Sequence, residues 1–441
     1  MKTLCIFLTL FCFLPLSLAQ TSSTKSSKEQ PLTEDELRQR LLLIPEVSLN
    51  KESAETSDSS RLARRELEKQ AHAIKQKNKN GLDGFVRELQ KERADLAGLP
   101  FVVGKGFLRE SVAAGNLETC SQACRKWLQA SLAGKPKSFY EHEWTVHPHS
   151  SPRARNFQDT LNSLVSMNNG WHEPFALSVL EENLMAENPS FRWVLVEHLE
   201  KTRSKESGTA LARRALFDSN LNVRLAALDA LRTRPAVDYS PIIVQGLKFP
   251  WAPAAAHAAE AIVNLKMNNL IPRLVDMLDE PDPGAFFTMN KKTVVRELVR
   301  IHHQKNCFLC HPPSFSPKDQ VRSPVPLPPN PKLINIGLDP SGYREPSGVF
   351  IRADATFLKA DFAAMLPVGK GRKMTYQRFD FVVRVRELAD KEKQTMEAKL
   401  KKSDRLTDHR IAILFALKGL TGKEAGPTAK EWRKALAMEK K

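Results

Sequence analysis

The chain has 441 residues, with 67 Lys and Arg against 50 Asp and Glu, so its formal net charge is +17. Hydrophobic residues make up 41 % and charged residues 27 %, which allows packed cores in roughly two to four domains. The 19 glycines show no period and there are only six cysteines, so the composition excludes collagen, wholesale disorder and a disulfide-stapled miniprotein.

Residues 1–19 predict a secretory signal peptide. Lys2 precedes an apolar run from Leu4 to Leu14, and the segment ends in the small-residue pattern Ser17-Leu-Ala19. The alternative is a membrane anchor, but the run is shorter than the about 20 residues that a span needs. We therefore expect export to the periplasm or cell surface, with no transmembrane span after cleavage.

The basic charge that remains suits an anionic polymer, lipid head groups or an acidic protein partner, and a solvated surface is the alternative. We expect no nucleic-acid partner, because the chain is exported and lacks interleaved aromatic and basic residues.

Residues 20–60 are rich in Ser, Thr, Lys and Glu and predict a flexible leader. One short helix is expected within it, where Thr33 and Glu36 form a capping box and Pro45 ends the helix. Residues 61–155 predict an N-terminal helical region.

A loop near the end of that region contains a group of histidines and glutamates. Such side chains can bind a divalent metal, and the alternative is a polar surface loop. The group consists of Glu141, His142, Glu143, His147 and His149.

Residues 156–305 predict helical repeats. Aligning four similar apolar segments gives successive spacings of 32, 31 and 37 residues, at the packing positions Leu195, Ala227, Ala258 and Val295. Two helices per repeat of this length are typical of an α-solenoid, and Asp218 with Val223-Arg224 fits a HEAT-type turn. The alternative is an unrelated helical bundle. The predicted fold is all-α, a HEAT-like α-solenoid followed by a Pro-rich, partly irregular C-terminal segment.

Residues 306–390 form that segment. Ten of the 28 prolines fall between Pro312 and Pro346, which excludes a helix there. Helices are expected again over residues 354–366 and from residue 375 onward, and residues 391–441 predict basic C-terminal helices.

The motif with recognisable chemistry is CxxCH, formed by Cys307, Cys310 and His311. Its two thiols can take thioether bonds to the vinyl groups of haem c, and the imidazole can ligate the iron. A predicted helix over residues 291–305 leads into the motif, and Met365 follows as a distal-ligand candidate. This order resembles that of a c-type cytochrome.

Other interpretations of these residues stay open. Met365 is in phase with Leu358 and Phe362, as an ordinary core methionine would be, and His302 and His303 are fallback ligands. The thiols can form a local disulfide, a disulfide to Cys120 or Cys124, or a four-thiolate zinc site with those two cysteines.

Several segments together resemble exported HEAT-repeat proteins of planctomycete-type bacteria. They are ELRQRLLLIPEV, ALARRALFDSNLNVRLAALDAL, NCFLCHPPS, FIRADATFLKADFAAMLPV and LTGKEAGPTAKEWRKAL. The resemblance covers most of the mature chain and is strongest from about residue 190 onward. It implies a helical scaffold with CxxCH at the end of the array, and Cys307, Cys310 and His311 as haem-attachment residues. It supplies no distal ligand.

The sequence therefore predicts a non-enzymatic, exported scaffold that binds protein partners on its solenoid surface. The rival hypothesis is an electron-carrying c-type haem protein. No Gly-rich phosphate loop, G-x-S-x-G or H-E-x-x-H sequence occurs, so the sequence does not favour a hydrolase.

Overall fold

The computed structural model describes residues 32–49, 59–77, 87, 89, 91, 93–101, 151–166, 174–319, 322–327, 346–353, 356–368, 375–402 and 406–438. The predicted signal peptide, Cys120, Cys124 and the histidine–glutamate group at 141–149 lie outside these residues. Within these ranges, no helix has both the length and the apolar character needed to cross a bilayer.

The N-terminal helix begins as the sequence predicts. In α1 (Glu34–Leu42) the Thr33 hydroxyl accepts a hydrogen bond from the Glu36 N–H, and the Glu36 carboxylate accepts one from the Thr33 N–H. The predicted capping box is thus confirmed. A second, polar helix, α2, spans Ser59–Lys77.

Eight helices follow, and we call them the helical array. They are α3 (Pro152–Ser166), α4 (Pro174–Leu184), α5 (Pro189–Lys201), α6 (Lys205–Phe217), α7 (Leu221–Leu231), α8 (Ala236–Gly246), α9 (Ala252–Asn264) and α10 (Ile271–Met277). Helix α5 packs on α7, and α6 packs on α7, α8 and α9. The predicted packing positions Leu195, Ala227 and Ala258 are fully buried between these helices.

The C-terminal helices are α12 (Asp390–Lys402), α13 (Asp408–Thr421) and α14 (Ala429–Ala435). Helix α13 packs on α9 and α10, and α14 packs on α10. The α9–α13 contact is close, because a Cβ atom on Gly419 would lie only 2.5 Å from a methyl group of Val263.

The predicted fold is confirmed in part: most of the described chain is helical, but the fold is not all-α, because the described residues also form two antiparallel sheets. The strands are β1 (Phe287–Met289), β2 (Lys292–His302), β3 (Pro313–Ser314), β4 (Arg322–Pro326), β5 (Pro346–Arg352), β6 (Phe362–Val368) and β7 (Thr375–Glu387). One sheet has the strand order β1-β2-β7-β6, and the other has the order β3-β5-β4.

Strand β2 replaces the helix predicted over residues 291–305. It pairs with β7 over nine residues, from Val294↔Glu387 to His302↔Phe379. Five of its eleven residues are β-branched, a composition that favours a strand. The array therefore ends at α10, and Val295, the fourth predicted packing position, lies in the sheet.

Strands β6 and β7 replace the helices predicted over residues 354–366 and over the start of the segment from residue 375. In β7, Phe379 and Phe381 lie on one face while Asp380 and Val382 lie on the other, the alternation of a strand. The cytochrome c-like helix order predicted for residues 306–390 is consequently wrong.

The four-stranded sheet is buried on both faces. On one face the Phe362 ring is nearly parallel to those of Phe217, at 4.9 Å, and Phe381, at 4.6 Å, so β6 packs on the end of α6. On the other face Val299 and Ile301 belong to a second core. The predicted core residues Leu89, Leu96 and Leu99 belong to that core too, whereas Phe85 lies outside the described residues.

Part of the predicted flexible leader is built into this body. We call residues 33–49 the N-terminal strap. Leu37 and Leu41 are fully buried, and Pro45 and Val47 exchange backbone hydrogen bonds of 2.9 Å with Arg300 on β2. The strap thereby covers the edge of β2 beyond the short strand β1.

Candidate functional site: the CxxCH turn and its charged neighbours

The CxxCH motif forms a single helical turn, α11 (Cys307–Cys310). The His311 N–H donates to the Cys307 carbonyl at 2.8 Å, and Pro312 and Pro313 prevent the helix from continuing. Both thiols are free and half-buried, and they pack against the second core.

The residue before the motif anchors this turn to the strap. The Asn306 side-chain oxygen accepts hydrogen bonds from the Ser48 hydroxyl at 2.9 Å and the Leu49 N–H at 2.7 Å. Its amide nitrogen donates to the His302 carbonyl at 3.0 Å. Asn306 is buried, and its side-chain oxygen and nitrogen both have hydrogen-bond partners. It therefore fixes where α11 begins.

Charged side chains lie behind the thiols, and we call Glu182, His303, Arg378 and Asp380 the Asp380 cluster. His303 Nδ1 lies 2.5 Å from one Asp380 oxygen, and Arg378 Nε donates to the other at 3.0 Å. Arg378 also binds the carboxylate and backbone carbonyl of Glu182. The cluster therefore joins β7 both to the turn before CxxCH and to α4 of the array.

The cluster holds ionised groups beside protonated thiols. Burial, and then the negative charge of Asp380, raises the pKa of Cys307 to about 12 and that of Cys310 well above the usual range. Burial opposes ionisation of Asp380, but Arg378 and His303 hold the pKa of its carboxyl below the usual value. At neutral pH these cysteines are therefore thiols rather than reactive thiolates.

Met365 lies on β6, opposite Arg378 on β7. Because side chains alternate along a strand, it shares the sheet face of Asp380, whereas Phe362 lies on the face toward the array. Its side chain is half-buried. The prediction that Met365 and Phe362 lie on the same face of a helix is therefore wrong, because both residues belong to strand β6 and lie on opposite faces of the sheet.

The surroundings of the thiols are mixed, with the second core on one side and polar groups on the other. Haem attachment needs both sulfurs and the imidazole along the wall of a mostly apolar slot. Cys307 Sγ lies 3.7 Å from the carbonyl oxygens of His303 and Gln304, and the negative charge of Asp380 is near enough to raise the pKa of Cys310. The Cys310 carbonyl is also bonded to the Thr356 hydroxyl.

No three His, Cys, Asp or Glu side chains are placed to share a metal ion in the part of the chain that the structure describes. The zinc alternative also requires Cys120 and Cys124, which lie outside that part.

Sequence reasoning missed Arg378, Asp380, Glu182 and Asn306. The run Arg378-Phe-Asp380-Phe alternates charged and aromatic residues, and this period of two is the signal that predicts a strand with one charged face. No sequence signal connects Glu182 or Asn306 to the thiols, because only the tertiary contacts bring them together.

A second candidate surface lies on α13, where large apolar side chains face solvent. Ile411 and Phe415, one turn apart, are 48 % and 52 % exposed, and Leu406 just before the helix is 40 % exposed. We call these three residues the α13 surface. Residues 391–441 contain 14 Lys and Arg against 7 Asp and Glu, a net charge of +7, so this surface belongs to a basic part of the chain.

No protein-family model, curated protein or solved structure matches this chain. The assignment of function therefore depends on the residues and contacts described above.

Proposed function

We propose that the protein is a non-enzymatic, exported HEAT-like scaffold that binds an acidic protein partner through the α13 surface. Packing of α5 on α7 and of α6 on α8 supports stacked helix pairs, since each repeat of a solenoid packs on the next. The repeat spacing and the buried positions Leu195, Ala227 and Ala258 support the same arrangement.

One side of the array is already covered by the four-stranded sheet of the same chain. Phe217, Phe249 and Trp251, near the ends of its helices, pack on Phe362 of the sheet. A partner therefore has to use other faces of the helices.

The observation that carries the proposal is the exposure of Ile411 and Phe415 on α13. Their neighbours Ala412 and Ala416 are buried, so α13 is firmly packed on its other side. Rigid aromatic and aliphatic side chains on a packed helix are typical anchors of protein interfaces. The net positive charge of residues 391–441, which contain these side chains, favours a partner with an acidic rim.

The second candidate function, electron transfer by a c-type haem, finds less support. The Cys307 sulfur lies 3.7 Å from the His303 carbonyl oxygen, and the charge of Asp380 reaches both thiols. No described contact favours His311 or Met365 as an iron ligand.

The test is binding by matched variants of the full mature chain. Proteins cross-linked to the wild type in an exported fraction would be identified, and an acidic one produced pure and titrated by calorimetry. We expect Ile411→Ser/Phe415→Ser to weaken its affinity at least about tenfold. We expect Met289→Ser, which alters an equally exposed apolar residue on β1, to stay within about twofold.

Unchanged affinity of the double variant, with an unchanged melting temperature, would contradict the proposal. So would selective binding to anionic lipid vesicles or to nucleic acid in place of an acidic protein.

A further inference from the structure

We propose that Cys307 and Cys310 form a dithiol–disulfide site, which closes by exchange with a small-molecule disulfide or with the disulfide of an exported protein. This inference is independent of the scaffold function and of the α13 surface.

The geometry of α11 places the two cysteines for closure. They are the first and last residues of one helical turn, held by the 2.8 Å hydrogen bond from the His311 N–H to the Cys307 carbonyl. Residues three apart in a helix lie on one face with Cα atoms about 5 Å apart, inside the range of about 4.4–6.8 Å that disulfides span. Closure therefore requires side-chain rotation and a small adjustment of one turn.

The turn is anchored at both ends, so the thiols stay adjacent. At its start, Asn306 binds Ser48 and Leu49 of the strap. At its end, the Cys310 carbonyl accepts hydrogen bonds from the Thr356 hydroxyl at 2.8 Å and from the Phe357 N–H. Both contacts use side chains or backbone other than the sulfur atoms, so they are compatible with either redox state.

Access is possible without global unfolding, because both cysteines are half-buried whereas Phe308 and Leu309 between them are fully enclosed. Cys307 and Cys310 thus lie at the margin of the second core, partly buried against it, whereas Phe308 and Leu309 lie inside it.

Because burial raises the pKa of both thiols, loss of a proton from one cysteine limits the rate of exchange at neutral pH, and the rate should rise with pH. The thiolate that forms attacks the incoming disulfide, whose S–S bond breaks to give a mixed disulfide and one free thiol. The other cysteine of the motif then loses its proton and attacks the sulfur of the first cysteine, which releases the second thiol of the incoming molecule. The two cysteines are oxidised by two electrons, and the incoming disulfide accepts those electrons and both protons.

The test uses the mature chain reduced under native conditions and then incubated with oxidised glutathione. We expect an intact mass lower by about 2 Da, the loss of two hydrogens. Proteolysis after blocking of free thiols should place the link inside one peptide that contains both Cys307 and Cys310. The variant Cys120→Ser/Cys124→Ser should give the same link, whereas Cys307→Ser should retain one glutathione adduct on Cys310.

Four outcomes would overturn the proposal. They are an unchanged mass, stable glutathione adducts on both cysteines, a link from either one to Cys120 or Cys124, and covalent haem on the chain when it is produced with cytochrome c maturation. Binding by the α13 surface is measured separately, so it can fail or succeed whatever the result here.

Discussion

His257 shows how a buried polar residue in the array is satisfied. Its Nδ1 lies 2.7 Å from the Leu216 carbonyl and its ring contacts Trp251 edge-on, so it joins α9 to the end of α6. Burial, and then the nearby charge of Arg224, lowers the pKa of His257 to about 3. The folded protein therefore holds this imidazole in its neutral form, with Nδ1–H as the donor.

That lowered pKa predicts a loss of stability in acid. Between pH 6.5 and 3 the unfolded chain binds a proton at His257 and the folded chain does not, so acidification favours unfolding. At pH 5 this contribution amounts to about 2 kcal/mol. The variant His257→Asn keeps a donor for the Leu216 carbonyl but has no group that titrates in this range. Between pH 7 and pH 5, its free energy of unfolding, measured with urea, should fall by about 2 kcal/mol less than that of the wild type. Equal losses would show that His257 is not the group responsible.

At the scale of elements, the strap is attached to the array through one carboxylate. Glu34 contacts Arg192 at 3.2 Å, Ser219 at 2.9 Å and Asn220 at 3.0 Å. Arg192 in turn binds Asp218 at 2.9 Å, in the turn for which the sequence predicts a HEAT-type conformation. Burial opposes ionisation of Glu34, but Arg192 and Arg38 hold its pKa below the usual value.

Removing the charge of Glu34 should therefore loosen the strap. We expect Glu34→Gln to lower the free energy of unfolding by about 2 kcal/mol, because the buried Arg192 loses one of its two charged partners. The loss is limited because Arg192 keeps Asp218 as a partner. Asp35 is the matched control, since it pairs with Arg38 while its side chain is 87 % exposed. Asp35→Asn should cost less than about 0.5 kcal/mol. Comparable losses in the two variants, measured by urea unfolding, would refute an anchoring role for Glu34.

At the scale of the whole molecule, the array and the four-stranded sheet are joined by an aromatic contact. Phe362 stacks between Phe217 and Phe381, and Trp251 lies 5.5 Å away by ring centroids. Such stacking adds to the free energy of burying the rings. The Asp380 cluster makes a second, polar connection through Glu182 of α4.

Truncating the central ring should weaken the whole molecule. Phe362→Ala removes a fully buried ring from a packed site, so we expect a loss of about 4 kcal/mol in the free energy of unfolding. Phe415→Ala removes the same group from the exposed α13 surface and should cost less than about 0.5 kcal/mol. A small loss for Phe362→Ala in chemical denaturation would mean that this contact does not hold the sheet to the array.

The sequence by itself determined the features that depend on neighbouring residues. The capping box of Thr33 and Glu36 follows from three-residue spacing, and the Cys307–Cys310 pair and its proline stop follow from adjacent letters. The buried positions Leu195, Ala227 and Ala258 follow from helical periodicity that repeats along the array.

Only the tertiary structure decided between helix and strand in β2, β6 and β7, and it alone assembled the charged half of the candidate site. In β2 the apolar pairs Val294-Val295 and Leu298-Val299 recur every four residues, a spacing compatible with a helix. The strand prevails because β2 forms a ladder with β7 and has buried residues on both of its faces, Val299 and Ile301 in the second core and Leu298 on the opposite face. That same ladder brings Asp380 to His303, just before the motif, a contact between residues too far apart in the chain for local patterns to predict.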